Sequence, residues 1–185
     1  MLFVAICGAQ TAGWKLDKSH SQVTFSVAHL VISEVRGVFK EFDVDFSTAS
    51  EDFTDATIDA TIKTASIDSG IEARDKHLRA DDFLGVEKYP DMKFKSTKIE
   101  KAGSDTYKIT GDLTIREVTK TVVLDTKYKG SIKDPWGNEK MAFRATTTID
   151  RLVFGTKWNK ATETGGLVAG REVEITLLME FTKQK

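Results

Sequence analysis

The chain has 185 residues, with 27 lysines and arginines against 28 aspartates and glutamates and a formal net charge of -1. Charges of both signs are spread along it, so no field gathers a nucleic acid or an anionic membrane surface, and a DNA- or RNA-binding role is not expected. At 40% hydrophobic and 30% charged residues it has the balance of one water-soluble domain with a real core, and no apolar run approaches the roughly 20 residues of a spanning helix.

The first thirteen residues read differently from the rest. Leu2-Phe3-Val4-Ala5-Ile6-Cys7 is an unbroken apolar run, and the small-residue stretch Gly8-Ala9-Gln10-Thr11-Ala12-Gly13 follows it. Residues 1–13 are therefore expected to be the remnant of a secretory signal, although its charged leader is missing, and 14–185 a single domain. The competing reading is a first strand with a ragged start. Cys7 is the only cysteine, so the domain itself would carry neither thiol nor disulfide. Ile6 is too bulky for the small residue that usually precedes a lipidated cysteine.

From Trp14 onward the pattern has a period of two. Apolar side chains alternate at Val23, Phe25, Val27; Phe42, Val44, Phe46; Ile58, Ala60, Ile62; Met92, Phe94; Tyr107, Ile109, Leu113, Ile115; Val122, Leu124, Tyr128; Met141, Phe143, Ala145, Ile149; and at every odd position from Val173 to Phe181. Two-faced strands of this kind pair antiparallel and need cover for one face. The chain has too little helix to supply it, so the sheet is expected to close on itself as an antiparallel barrel of about eight strands. A barrel of that size is filled by its own side chains or holds one small ligand, which already suggests a lipid carrier.

Turn signals at Ala102-Gly103-Ser104-Asp105 and Asp134-Pro135-Trp136-Gly137-Asn138 mark hairpins. The only two prolines, Pro90 and Pro135, leave strand interiors free to pair. Ser69-Gly70-Ile71-Glu72 has the form of a capping box, and the spacing predicts a helix over 70–84 with a narrow apolar stripe, suited to lying across a barrel end. Gly165-Gly166 and Gly170 mark the loop before the last strand. Trp136 and Trp158, in loops beside glycines, read as packing plugs.

The chain resembles the YceI-like family of lipocalin-like, polyisoprenoid-binding bacterial proteins. The resemblance rests on an ordered set: Trp14-Lys15-Leu16-Asp17-Lys18-Ser19-His20-Ser21, Ala28-His29-Leu30 with Val35-Arg36-Gly37, Ala73-Arg74-Asp75-Lys76-His77-Leu78-Arg79-Ala80-Asp81-Asp82-Phe83, Glu87-Lys88-Tyr89-Pro90, Phe94-Lys95-Ser96, Thr110-Gly111-Asp112-Leu113-Thr114-Ile115, Asp134-Pro135-Trp136-Gly137 and Phe154-Gly155. Arg116-Glu117 stands where the family usually has a basic residue and glycine, and Thr121 where it often has proline, which bears on one hairpin's geometry. Membership implies an eight-stranded antiparallel lipocalin-like barrel with one short helix over an end. It also implies export to the periplasm and a long isoprenoid or similar amphiphilic tail inside. No cofactor is implied beyond such a lipid: a polyprenyl phosphate, an isoprenoid quinone or a fatty acyl compound. Transient membrane contact is compatible with this, and the oligomeric state is left open, a dimer included.

The inward set expected to hold the tail is Phe25, Val27, Phe42, Val44, Phe46, Ile58, Ile62, Phe94, Leu113, Ile115, Leu124, Phe143, Ile149, Ile175, Leu177 and Met179. Alternation says which residues share a face, not whether space remains between them; a solid core fits it too, and the resemblance implies the tunnel. Each isoprene unit buried contributes on the order of 3–4 kcal/mol at about 0.8 kcal/mol per methylene. For the head group the expected residues are Arg36, Arg74, His77 and Arg79, since guanidinium forks suit phosphate and a helix start favours an anion. The alternative is that they pair with Asp75, Asp81, Asp82 and Glu87 to pin the helix.

No residue is assigned to a metal: His20, His29 and His77 lack helical His-x-x-x-His spacing, and structural hydrogen bonding is the simpler role. No catalytic residue is assigned either. A lipid-modifying enzyme with a histidine and a carboxylate, such as His77 and Asp81, in acid–base roles is the rival reading, and a structural exported barrel with no ligand is a third.

Overall fold

The computed structural model describes residues 12–163 and 165–184. Most of the expected signal, Cys7 included, lies outside the described residues. Ala12 and Gly13 pair with Thr48 and Ser47, so the first strand starts before Trp14.

In chain order the strands are β1 (Ala12–Leu16), β2 (Gln22–His29), β3 (Ser33–Phe39), β4 (Phe42–Thr48), β5 (Thr57–Lys63) and β6 (Ile67–Asp68). The helix α1 (Glu72–Arg79) follows, then β7 (Asp91–Lys101), β8 (Thr106–Ile115), β9 (Val118–Lys133), β10 (Glu139–Asp150) and β11 (Ala169–Lys183). They form one closed antiparallel barrel of 8 strands, because β1 with β2, β3 with β4 and β5 with β6 are each the halves of one bent strand. One half runs β1-β4-β5-β7-β8-β9-β10-β11 and back to β1; in the other, β2, β3 and β6 continue the first three.

β11 closes the barrel. Its end pairs with β1 at Leu16↔Phe181, and its first half pairs with β2 from Val27↔Val173 to Gln22↔Leu178. Where β1 breaks from β2, Asp17 N–H donates to the Glu180 carbonyl at 2.8 Å, and Glu180 N–H donates to Ser21 Oγ at 3.0 Å. The Lys140 ammonium bridges the same point, 2.8 Å from Asp17 and 2.7 Å from Glu180.

The apolar positions of the period-two pattern point inward as expected. Two of the inward positions are glycine for a steric reason: a Cβ on Gly37 would stand 2.4 Å from the Phe25 ring, and one on Gly111 would stand 2.4 Å from the Phe94 ring. Each gap lets an aromatic ring lie flat against the wall.

The helix is shorter than the expected 70–84, and the capping box does not form. Ile71 is the N-cap without a side-chain bond. Ser69 instead gives its N–H and its hydroxyl to the buried Asp75 carboxylate. Arg74 holds Ser69 from the other side through its hydroxyl and carbonyl, each at 2.7 Å.

Residues 80–90 run on as turns over the barrel end, tied down by the β8–β9 hairpin. There Arg116 and Glu117 occupy left-handed φ angles of 51° and 62°. Arg116 is buried, donates to the carbonyls of Asp81 and Phe83 at 2.8 and 2.6 Å, and lies 4.8 Å over the Tyr89 ring. A glycine at 116 would relieve the strain there but remove the anchor.

The Lys140 bridge makes stability depend on pH. Lys140, then His20, hold the Asp17 carboxyl well below the usual carboxylate range, and the two carboxylates hold Lys140 above the usual lysine range. Asp17's contribution is present above its unfolded value of about 3.9 and lost as pH falls through its lower folded value. Lys140's is present below about 10.4 and lost at higher pH. Lys140→Met is expected to cost about 2–3 kcal/mol in urea unfolding at neutral pH. The wild-type advantage should shrink by about 1–2 kcal/mol as pH drops from about 5 to about 2.5; an unchanged gap would mean that Lys140 acts through its stem alone.

Candidate functional site

Closure leaves space inside. A cavity of about 390 Å³ runs within the barrel, its wall almost wholly apolar. Every residue of the expected inward set, from Phe25 to Met179, lies on that wall. The side chains therefore line a space and do not fill it.

One end is closed by aromatic rings. Phe53, in the β4–β5 loop, turns back into the barrel from a left-handed φ of 59°. Its ring meets Tyr128 at 5.1 Å, Phe143 at 5.3 Å and Tyr107 at 6.0 Å between centroids, while Phe46 stacks on Phe181 at 5.1 Å. Asp55 fixes the loop by accepting from Ser50, Thr48 and the Ala49 N–H, and these bonds hold its carboxyl well below the usual range. The periodicity missed this plug because Phe53 belongs to a loop.

The other end carries the charged groups of the wall. His29 ends β2, Arg74 and His77 come from α1, and Arg151 from the 3-10 turn Arg151–Phe154. Arg151 was not expected from sequence. It is buried at 7% exposure and donates only to neutral oxygens: the carbonyls of Gly170, Trp158 and Ala169 at 2.8, 2.6 and 3.1 Å and the Thr156 hydroxyl. Burial pushes its pKa down, against the pull of Asp150. A guanidinium in this state leaves at this end a positive charge that no direct ion pair among the described residues cancels.

The expected head-group residues divide. Arg74 and His77 lie on the wall. Arg36 does not: it points outward from β3, pairs with Glu34 at 3.0 Å and is 80% exposed. Period two sends position 36 to the face opposite Val35 and Gly37. Arg79 also stands off the cavity, donating to the carbonyls of Ala65 and Ile67 and so pinning α1 to β6.

His77 is paired with a carboxylate, but with Asp82 at 3.0 Å and not with Asp81. Asp81 is taken by Lys157 and Lys88, which lower its pKa to about 2. His77 packs edge-on against Phe83 and Trp158, and Asp82 accepts the backbone N–H groups of Lys157 and Trp158 through its carbonyl. These contacts make the pair a clamp between the helix segment and the 157–158 loop. Trp158 is thus a packing element, as expected. Trp136 is not: it is 83% exposed, and its turn is closed by the Asp134 carboxylate.

Among the described residues one group has metal-ligand proximity, Asp17, His20 and Glu180, and the Lys140 ammonium already stands between its two carboxylates.

A YceI-like domain model matches residues 14–181, nearly the whole barrel. The chain belongs to the YceI-like family. A UPF0312 protein of Pseudomonas putida strain F1 is 40% identical over 96% of this chain and 90% of its own. The YceI protein of Campylobacter jejuni, a solved structure, is 34% identical, with a TM-score of 0.73 over 92% of this chain and 97% of that one. A polyisoprenoid binding domain from Saccharophagus degradans, implicated in plant cell wall breakdown, shares the fold at a TM-score of 0.68 and 14% identity, covering 92% and 98%.

A charge placed on the cavity wall tests the assignment of its face. Phe143→Asp or Leu177→Asp must stay desolvated or take up a proton, and is expected to cost several kcal/mol. Urea unfolding should show the loss easing as pH falls through the new carboxyl's raised pKa; a pH-independent loss would place these side chains off the lumen.

Proposed function

We propose that this YceI-like protein binds a long-chain isoprenoid or similar amphiphilic lipid and transports or stores it in the periplasm without catalysis. The observation that carries the reading is the cavity of about 390 Å³, apolar along its length, closed by aromatic rings at one end and edged by Arg74, His77 and Arg151 at the other. Such a space takes a tail inward and a polar or anionic head at the charged end. The Saccharophagus domain of the same fold, named for polyisoprenoid binding, supports the class of tail. The apolar run Leu2 to Cys7 ahead of a small-residue stretch supports export.

Native mass spectrometry of the protein purified from its host tests this directly. A mass excess of lipid size that disappears on organic extraction is expected; bare chain mass in every preparation, with no uptake of added prenyl lipid, would overturn the proposal. The host-isolated chain should begin near Trp14 and fractionate with the periplasm, whereas intact Met1 on cytoplasmic protein would overturn the compartment.

Tail length is set in this reading by the Phe53 plug. Phe53→Ala should extend the lumen and shift the bound population toward longer tails, at about 3–5 kcal/mol of stability. An unchanged tail distribution in the folded variant would mean that the aromatic end does not limit the ligand.

A further inference from the structure

At the tip of the β2–β3 hairpin three consecutive apolar residues face water: Leu30 at 42%, Val31 at 73% and Ile32 at 88% exposure. Leu30 and Val31 also hold left-handed φ angles of 51° and 68°. Turn chemistry favours Asn or Gly at such positions, and a β-branched valine is among the worst choices. Neither solubility nor backbone preference accounts for this sequence, so apolar surface at the tip has another use.

The tip adjoins the cavity mouth. Leu30 N–H donates to the Val168 carbonyl at 3.0 Å, and His29 and Val168 both lie on the cavity wall. β6 pairs with β3 only at Val38 and Phe39, leaving the part of β3 nearest the tip bonded to β2 alone. The hairpin end therefore projects beside the opening with few constraints on its outer edge.

We propose that Leu30, Val31 and Ile32 are a wedge that enters the interfacial layer of a lipid bilayer and sets the cavity mouth against it. Three side chains cover far less than the roughly 1,200–2,000 Å² of a stable protein interface, which argues against a second copy or a protein partner. The tip itself adds no net charge, because Glu34 and Arg36 beside it neutralise each other. The fitting partner is thus a membrane met through its hydrocarbon, with little dependence on head-group charge. The wedge's purpose rests on the carrier reading, but docking itself is measured without ligand.

The test is flotation of the full chain with phosphatidylcholine vesicles, comparing wild type with the triple variant Leu30→Asn, Val31→Gly, Ile32→Ser. Asn and Gly suit the left-handed positions, so the variant should melt no lower than wild type. Wild type is expected to float equally at low and high salt, and the variant to lose binding about tenfold or more. Transfer of a fluorescent prenyl lipid out of vesicles should slow in parallel, while uptake from detergent stays unchanged. Wild type that stays unbound, or a variant that floats as well, overturns the wedge. A wild-type dimer that the variant abolishes in analytical ultracentrifugation also overturns it and assigns the tip to self-association. Tip-dependent flotation by protein that never holds a lipid would sustain the wedge and sink the carrier; a lipid passenger in protein that does not float would do the reverse.

Discussion

Everything in this protein follows from how an antiparallel sheet with one apolar face hides that face. With a single eight-residue helix among the described residues, the sheet is its own partner, and the last strand bonds both to β10 and to the first strand. The first strand cannot follow the curvature unbroken; it splits at 17–21, and β3/β4 and β5/β6 bend nearby, with the Lys40 N–H reaching the Ser66 carbonyl and the Lys63 N–H the Glu41 carbonyl. At the split the ladder is completed by a side chain and an ion bridge: Ser21 receives the Glu180 N–H, and Lys140 holds Asp17 and Glu180 together. Closure thus depends on a few polar groups placed where ordinary pairing fails.

The strained backbone is confined to the loops at the ends of the barrel. Phe53, Arg116, Glu117, Leu30 and Val31 are the non-glycine residues with positive φ among those described. Two of these sites have visible compensation. Phe53 gains aromatic contacts that seal the lumen, and Arg116 gains two carbonyls and the Tyr89 ring. At the β2–β3 tip the strained residues are instead turned to solvent, although Gly166 lies close to Val31. Strain of about 1–3 kcal/mol per residue persists where surrounding structure or use retains it.

Much of the fold was legible because period two survives in eight runs, which correspond to β2, β4, β5 and β7 to β11. The missing halves were hidden for local reasons. In β3 the inward position 37 is glycine, so the apolar alternation from Val35 to Phe39 is interrupted, and β6 has only two residues. The helix is shorter than its pattern suggests mainly at its far end, where residues 80–84 leave it in turns over the barrel end; at its start the serine that would cap it serves Asp75. The cavity's apolar wall was read from alternation, but its charged end was not: Arg151 gives no periodic signal and is drawn inward by carbonyl acceptors that only the folded loop assembles. Arg36 and Arg79 were misplaced because charge type was read without the face each residue occupies.

For a carrier, the depth of the apolar space matters less than the difference between its ends. A long tail leaves one hydrocarbon environment for another, so most of the nominal 0.8 kcal/mol per methylene cancels in exchange with a bilayer. Discrimination must then come from terms that do not cancel. The aromatic plug supplies one, since a tail too long for the lumen must displace packed rings or leave methylenes in water. The charged mouth supplies another: Arg151 is already desolvated when no ligand is bound, so an anionic head arriving there recovers electrostatic energy without a new dehydration cost on the protein's side. In the carrier reading proposed above, a barrel arranged this way would release its cargo readily to a membrane and still select by length and head-group charge.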